Sequence, residues 1–331
     1  MSAFIECIED PAISTLPAVL NPVELCRRLR ERLPWQIDGL TETQVRPLRH
    51  HAGKRCVVEI ALRTVEGPLR LIGKVYSTDH SEVYRLMKVV SAAGFAPGEE
   101  FSIPPPVAYI DDLQLLLQER VEGKPSTESF LSDDESIRKA AAERCALWLA
   151  RFHAMAPRVG SSFDLGSHLL AIEQWFLRVV SLERSLADKA GALFRGLEYA
   201  SSRLQPNEMV AVHGDYTHHQ VILGQGSTVA TDWDNYGVAD PARDVARFIV
   251  GLQRFGLRFQ GFIGALDGPA QIFLKAYVAT GRFDVSTRLP FQRAAACLEH
   301  AKHDVHKRAQ RWRERAEATL DEGLRTLEAG V

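Results

Sequence analysis

His213, Asp215, Gln220 and Asp232 are the residues of this chain whose types and spacing suit chemistry on a phosphoryl group. Asp215 follows His213-Gly214, Gln220 stands five residues later, and Asp232 opens an Asp-Trp-Asp run twelve residues after Gln220. Between them, Val221-Ile222-Leu223 and Thr228 to Thr231 predict two strands joined by the turn Gly224-Gln225-Gly226-Ser227. Such a hairpin turns the chain back on itself and brings Gln220 and Asp232 to the same end, with Asp215 in the loop just upstream. One carboxylate is then placed to take a proton, while an amide oxygen and a second carboxylate hold a hard divalent cation, which prefers oxygen ligands. Phosphoryl transfer from a nucleotide uses this layout, because its catalysis is mostly positioning and charge neutralisation.

Other readings of these residues exist. Acidic residues near hairpin ends are often solvated turn formers. A metallophosphatase also uses a Gly-Asp pair, but it needs an Asn-His and a Gly-His dipeptide downstream, and neither follows Asp215. The pattern resembles that of the aminoglycoside phosphotransferase and choline kinase group within the protein-kinase-like superfamily: His-Gly-Asp, an Asn five residues after the Asp, and a later Asp. Gln220 stands where most members have Asn, as it does in some sugar kinases such as the bacterial maltokinases. The resemblance implies an α+β, two-lobed protein-kinase-like fold, with a small antiparallel-sheet N-lobe and a larger, mainly helical C-lobe. It also implies an ATP- and Mg-dependent phosphotransferase acting on a hydroxyl of a small molecule. Asp215 would orient that hydroxyl and accept its proton, His213 would brace the loop, and Gln220 and Asp232 would hold magnesium. Lys74, positioned by Glu82, would neutralise the nucleotide phosphates.

The elements that must position these residues fall into two halves. Cys56 to Thr64 is β-branched and apolar with sparse polar interruptions, as in a mostly buried strand; Glu66-Gly67 is a hairpin turn, and Pro68 to Tyr76 is a second strand carrying Lys74. Asp79 to Ala93 places Val83, Leu86, Met87 and Val90 on one helical face, with Asp79 as N-cap and Gly94 as the stop. Glu82 is the only carboxylate inside it, and its first-turn position equally suits dipole compensation. A Gly-x-Gly-x-x-Gly run is absent. The turn before the first clear strand, His50 to Arg55, offers backbone amides around Gly53 and the cations Lys54 and Arg55 to cover a triphosphate, or is an ordinary basic hairpin tip. His50 and His51 read as solvent-exposed. Leu115 to Gly123 resembles the hinge between the lobes, where adenine would bond to backbone groups from Glu119 to Val121.

Beyond Gly123 the pattern becomes helical. Glu135 to Met155 is a long periodic run whose end, Leu149-Ala150-Arg151-Phe152-His153, is similar to the close of a core helix in the family, so His153 reads as structural. Helices follow over Leu169 to Leu186 and Ala187 to Arg203. Asp240-Pro241 starts another over Ala242 to Leu252, with Asp240 and Asp244 assigned to capping and loop bracing. Phe291 to Leu327 reads as one or two amphipathic helices whose basic run, Lys302 to Arg315, is a solvated face. His300, His303 and His306 drift around that helix rather than forming a metal site.

At 331 residues the chain suits about two domains, 1–119 for nucleotide binding (1–40 an N-terminal extension with a helix over Pro22 to Leu33) and 120–331 for catalysis and substrate. A hydrophobic fraction of 46% and a charged fraction of 25% are those of a globular protein with a full core. A net charge of −2 provides no global attraction to nucleic acid or to an anionic membrane. Five scattered cysteines without Cys-x-x-Cys spacing argue for a reducing compartment. Without a basic signal region or a membrane-length apolar run, the expected location is cytoplasmic. The expected partner is a small-molecule acceptor, a sugar, cyclitol or related metabolite rather than an aminoglycoside, because the last helices are rich in Arg and His. A nucleotide-binding regulator that has lost catalysis is the alternative, favoured by Gln220 and the reduced glycine loop. Oligomeric state is not readable.

Overall fold

The computed structural model describes residues 8–33 and 39–329. It divides into two compact units, Met1–Glu122 and Gly123–Val331. The first begins with the short helix α1 (Leu16–Leu20) and α2 (Pro22–Arg32). Asn21 caps α2 by accepting from the Val23 and Glu24 amides, and Pro22 fits the first helical position, where no N–H is needed. Strands β1 (Glu42–His51), β2 (Arg55–Thr64) and β3 (Gly67–Tyr76) form an antiparallel meander. Helix α3 (Ser81–Val90), a two-residue strand β4 (Phe101–Ser102), and strands β5 (Pro106–Ile110) and β6 (Leu115–Glu119) follow. Among the described residues the sheet order is β1-β2-β3-β6-β5. Alternate residues of β2, Cys56, Val58, Ile60 and Leu62, face a core that also takes Leu16, Val19, Leu25 and Leu29 from the N-terminal helices. Helices α1 and α2 are therefore a packed layer of this unit.

Three expectations shift here. Strand β1 had no clear apolar pattern in sequence, yet it forms a full edge strand with a register shift between Pro47 and Arg49. Helix α3 starts at Ser81 rather than Asp79, whose carboxylate instead accepts from the Ser81 amide at 2.8 Å. His50 is not simply exposed: its Nε2 lies 2.8 Å from the carboxylate of Asp10.

The second unit opens with strand β7 (Lys124–Pro125) and the single turn α4 (Ser126–Phe130), then α5 (Glu135–Met155), capped by Asp134 on the Ser136 amide. Strand β8 (Ser162–Phe163), α6 (Leu165–Leu182) and α7 (Ala187–Ser201) lead to β9 (Val210–Val212). The hairpin β10 (Val221–Leu223) and β11 (Thr228–Ala230) has the expected turn, and β12 (Gly237–Ala239) pairs antiparallel with β9. The remainder is helical: α8 (Ala242–Phe259), α9 (Asp267–Ala279), α10 (Leu289–Lys307) and α11 (Trp312–Ala329). Helix α8 runs two turns further than its sequence pattern indicated. Among the described residues no helix is long and apolar enough to cross a membrane.

Aromatic side chains under the β9–β10 loop fix it to this helical body. Trp148 of α5 stacks on Tyr216 with ring centroids 5.3 Å apart, and Tyr216 in turn lies against Phe248 of α8 at 5.5 Å. The buried Tyr216 hydroxyl is satisfied by donating to the Cys145 carbonyl at 2.8 Å. Trp233, the residue after Asp232, is buried against Trp148, Phe152 and the His213 ring.

Helices α8 and α10 share a polar seam whose α8-side residues recur every seven positions. Asp240, just ahead of α8, pairs with Arg288, just ahead of α10; Arg247 pairs with Glu299 at 2.8 Å, and Arg254 pairs with Asp304 at 2.9 Å. Seven residues are two helical turns, so Arg247 and Arg254 lie on the same side of α8.

Candidate active site

Strand β9 is fully buried and delivers His213 at its end. The next residue, Gly214, has φ +78°, and a Cβ there would lie 2.0 Å from the Asn235 carbonyl oxygen. Only glycine fits. Gly214→Ala is expected to cost about 3 kcal/mol or more of stability and to abolish turnover, because the obstruction is backbone rather than a movable side chain. A thermal melt and an initial-rate assay on the variant check this; a normal melt with normal rates would contradict the loop geometry.

The loop amides are held from below. The His213 and Gly214 N–H groups donate to the two carboxylate oxygens of Asp244 at 2.7 and 3.0 Å. Asp244 is wholly buried and also accepts from His153 Nε2 at 3.3 Å, while His153 Nδ1 meets the Tyr277 hydroxyl at 2.8 Å. His153 is thus a hydrogen-bonded structural residue. His213 Nε2 lies 3.0 Å from the Thr231 carbonyl, which ties the loop to the far end of the hairpin. Asp240 accepts from the Ala242 amide at 2.9 Å and so caps α8.

The hairpin brings its acid and amide together. The Gln220 carbonyl accepts from both the amide and the hydroxyl of Thr231, at 2.8 and 3.1 Å, which sets Asp232 beside Gln220. Asp232 itself has φ +70°, a left-handed conformation that Asp tolerates better than most residues. Gln220 Nε2 donates to Asp215 Oδ2 at 3.5 Å. The Asp215 side chain stays 35% exposed, enough to meet a substrate, and its Oδ1 is 3.4 Å from Arg247 Nε. Burial raises the Asp215 carboxyl above its ordinary value; Arg247 and His213 pull it down, and Asp232 and Glu299 push it up.

Arg247 and Glu299 were not singled out in the sequence. Arg247 Nε donates to the Gly214 carbonyl at 3.0 Å, while its two terminal nitrogens grip Glu299. Burial works against both charges, yet the pairing prevails: Glu299 is held far below the carboxylate range and Arg247 is raised. The available signal was helical spacing. Arg247 is three residues after Asp244, on the face that already meets the loop. The basic face expected to be solvated is also partly structural, since Arg315 reaches Asp304 at 3.5 Å and Arg313 reaches Glu183 at 3.2 Å.

The other sequence candidates belong to the first unit. Lys74 is buried on β3 between Val57 and Leu116, next to Gly73, whose missing side chain admits Val58 and Leu115. Glu82 lies exposed in the first turn of α3. Its location suits helix-dipole compensation, the other reading its position allowed. Gly53, with φ +72°, forms the β1–β2 turn, and its amide donates to Asp10 Oδ2 at 2.7 Å. Along the hinge-like segment, the Glu119 amide donates to Pro105 and the Arg120 amide to Arg70, each at 2.9 Å. Among the described residues the Val121 N–H has no protein acceptor. No cluster of three His, Cys, Asp or Glu side chains among them has metal-binding geometry.

An antiparallel-sheet unit carrying a buried strand lysine, followed by a helical unit carrying an acid, an amide and an acid on a loop and hairpin, defines a kinase-like phosphotransferase fold. The family described as the phosphotransferase enzyme family (APH) matches residues 62–284, two thirds of the chain. The protein belongs to that family and is a small-molecule kinase. A thermostable mutant of aminoglycoside phosphotransferase APH(4)-Ia, in its apo form, is similar in fold: TM-score 0.63 and 14% identity over 91% of this chain and 98% of that one. A choline/ethanolamine kinase family protein from Mesorhizobium loti has a TM-score of 0.58 and 15% identity, over 93% and 98% of the two chains. The amicoumacin kinase hAmiN, solved with AMP-PNP, Ca2+ and Ami, has a TM-score of 0.58 and 16% identity over 93% and 96%. No curated protein matches the sequence.

Proposed function

We propose that the protein transfers the terminal phosphoryl group of ATP, with magnesium, to a hydroxyl of a small molecule that is a sugar, a cyclitol or a related metabolite. The observation that carries this reading is the placement of Asp215, half-open to solvent, against Gln220, Asp232 and Arg247. Asp215 orients the acceptor hydroxyl and takes its proton, a role that the raised pKa of its carboxyl suits. His213 and Asp244 hold the loop that carries it. Gln220 donates through its nitrogen to Asp215, and its amide oxygen and the Asp232 carboxylate would hold a hard cation. Two protein oxygens fit magnesium, which usually keeps several waters and takes its other ligands from phosphates. When bound, magnesium supplies charge neutralisation for the transferred group. Lys74 does the same from the first unit, and the Val121 amide is the backbone group offered to adenine. The AMP-PNP and Ca2+ in the amicoumacin kinase structure support a nucleotide and a divalent cation.

A polycationic aminoglycoside suits this site poorly, because Arg243, one turn before Arg247 on α8, is a cation near Asp215 with no paired carboxylate among the described residues. The test is magnesium-dependent ADP release from ATP across sugars, cyclitols, amino alcohols and aminoglycosides. Release dependent on a sugar or cyclitol is expected. Release with aminoglycosides alone would overturn the acceptor class. Nucleotide binding with silence across the panel would favour a regulator without catalysis.

A further inference from the structure

A cavity of about 310 Å³ opens in the second unit at the first rung of the α8–α10 seam, lined among others by Phe163, His168, Asp240, Arg243, Arg288 and Gln292. Its charges are unequally matched. Asp240 is occupied by Arg288, by the Ala242 amide and by Gln292 Nε2 at 3.3 Å. Arg288 also donates to the Gln205 carbonyl at 2.6 Å. Asp164, at the exposed mouth, caps α6 on the Ser167 amide at 2.8 Å. Arg243 is different. Its guanidinium lies 3.8 Å from the centre of the Phe163 ring, and among the described residues it forms no ion pair or side-chain hydrogen bond. A guanidinium stacked by its face keeps its edge donors free, in the fork geometry that fits a carboxylate or phosphate. Gln292 provides a second, independent sign of a ligand. It is 3% exposed, and its Oε1 is buried without a hydrogen-bond partner. A buried carbonyl oxygen left open costs stability until a donor arrives. His168, kept neutral by burial and by the charge of Arg243, adds no competing anion or cation.

We propose that this cavity is the acceptor's anchoring subsite and takes a small hydroxylated anion, its carboxylate or phosphate on Arg243 and a hydroxyl donating to Gln292 Oε1. The placement suits an acceptor reaching the reacting centre. Arg247, one turn beyond Arg243 on α8 and about 6 Å further along its axis, is the residue beside Asp215. The assignment of the bound molecule as acceptor rests on the kinase reading above; the anion site itself does not.

Binding is therefore measured first without nucleotide, by calorimetry, using a hexose, the corresponding hexonic acid and the hexose 6-phosphate. The wild-type protein is expected to bind at least one anionic form and to bind the neutral hexose at least about tenfold more weakly, as the loss of a charge-assisted contact requires. The ranking of acid against phosphate identifies the anionic group. Arg243→Met should remove the anionic preference and Arg243→Lys should restore part of it. Gln292→Glu, which puts a negative charge in place of the open carbonyl, should weaken anion binding by at least about tenfold, with a melting temperature confirming the fold of each variant. Equal binding of the neutral and anionic forms, or anion binding undisturbed in Arg243→Met and Gln292→Glu, overturns the site. Anion binding that follows these variants without any phosphoryl transfer to the bound compound keeps the site and overturns its assignment to the acceptor.

Discussion

Asp215→Asn is expected to lower kcat by about 10³-fold, the scale of a lost general base, without lowering the melting temperature. The two halves of that expectation have one cause. Burial raises the Asp215 carboxyl, so the folded protein holds this proton more firmly than the unfolded chain does. The stability it contributes is therefore complete below the unfolded pKa and declines as pH rises through the folded one. At neutral pH the ionised side chain is a burden on the fold, which an uncharged amide relieves. Arg247 keeps its grip on Glu299 in the variant, so no second charge is left stranded. The same shift sets the pH profile. With a proton acceptor whose pKa is raised above its ordinary value by burial, kcat/KM should rise with pH through an acid limb in the wild-type protein, and that limb should vanish from the residual activity of Asp215→Asn. Initial rates against pH, with a thermal melt of each protein, read both. Undiminished turnover in the variant would remove Asp215 as the base, and a fall of several degrees would make it structural.

How much of this was legible in the sequence depended on whether a residue's surroundings are set locally. The hairpin around Gly224 to Ser227 was readable because turn residues and β-branched strands are local signals, and it appears within one residue of its expected limits. Helix α5 was readable from its period and from Asp134 at its start. Strand β1 was not, because it is an edge strand with one covered face: Thr43 and Val45 are its buried positions, and Pro47 interrupts the pattern. The acid, amide and acid of the site could be named because one loop and one hairpin join them. Arg247 and Glu299 could not, since 52 residues separate them and each alone is an ordinary charge on an amphipathic helix. Only the parallel register of α8 and α10 converts them into a buried pair. The surroundings of Glu82 were unreadable for a related reason. Spacing from strand to helix does not specify which face of the first turn meets the sheet, and Glu82 is on the open one.

Asp244→Ala should be the most damaging single substitution for the fold of the second unit, at about 3–5 kcal/mol. It strands the His213 and Gly214 amides in a buried setting and takes away the partner of His153 Nε2. Burial alone would raise the Asp244 carboxyl, but the hydrogen bond from His153 and the His213 amide outweigh it and hold it low. A lowered folded pKa means that the stabilisation is present above the unfolded pKa and disappears as pH falls through the folded one. The gap in stability between the wild-type protein and Asp244→Ala, measured by denaturant titration, should therefore be wide at pH 7 and close in acid. Asp244→Asn should fall between them, because its single carbonyl oxygen satisfies one of two amides. A gap that persists unchanged into acid would mean that the side chain acts through its volume rather than its charge. The comparison with Asp215→Asn separates the two roles on one loop. One carboxylate faces substrate and costs the fold something to keep ionised, while the other faces the core and keeps the first in place. Equal stability losses from both substitutions would put Asp215 in the same bracing network as Asp244 and leave the loop without a base.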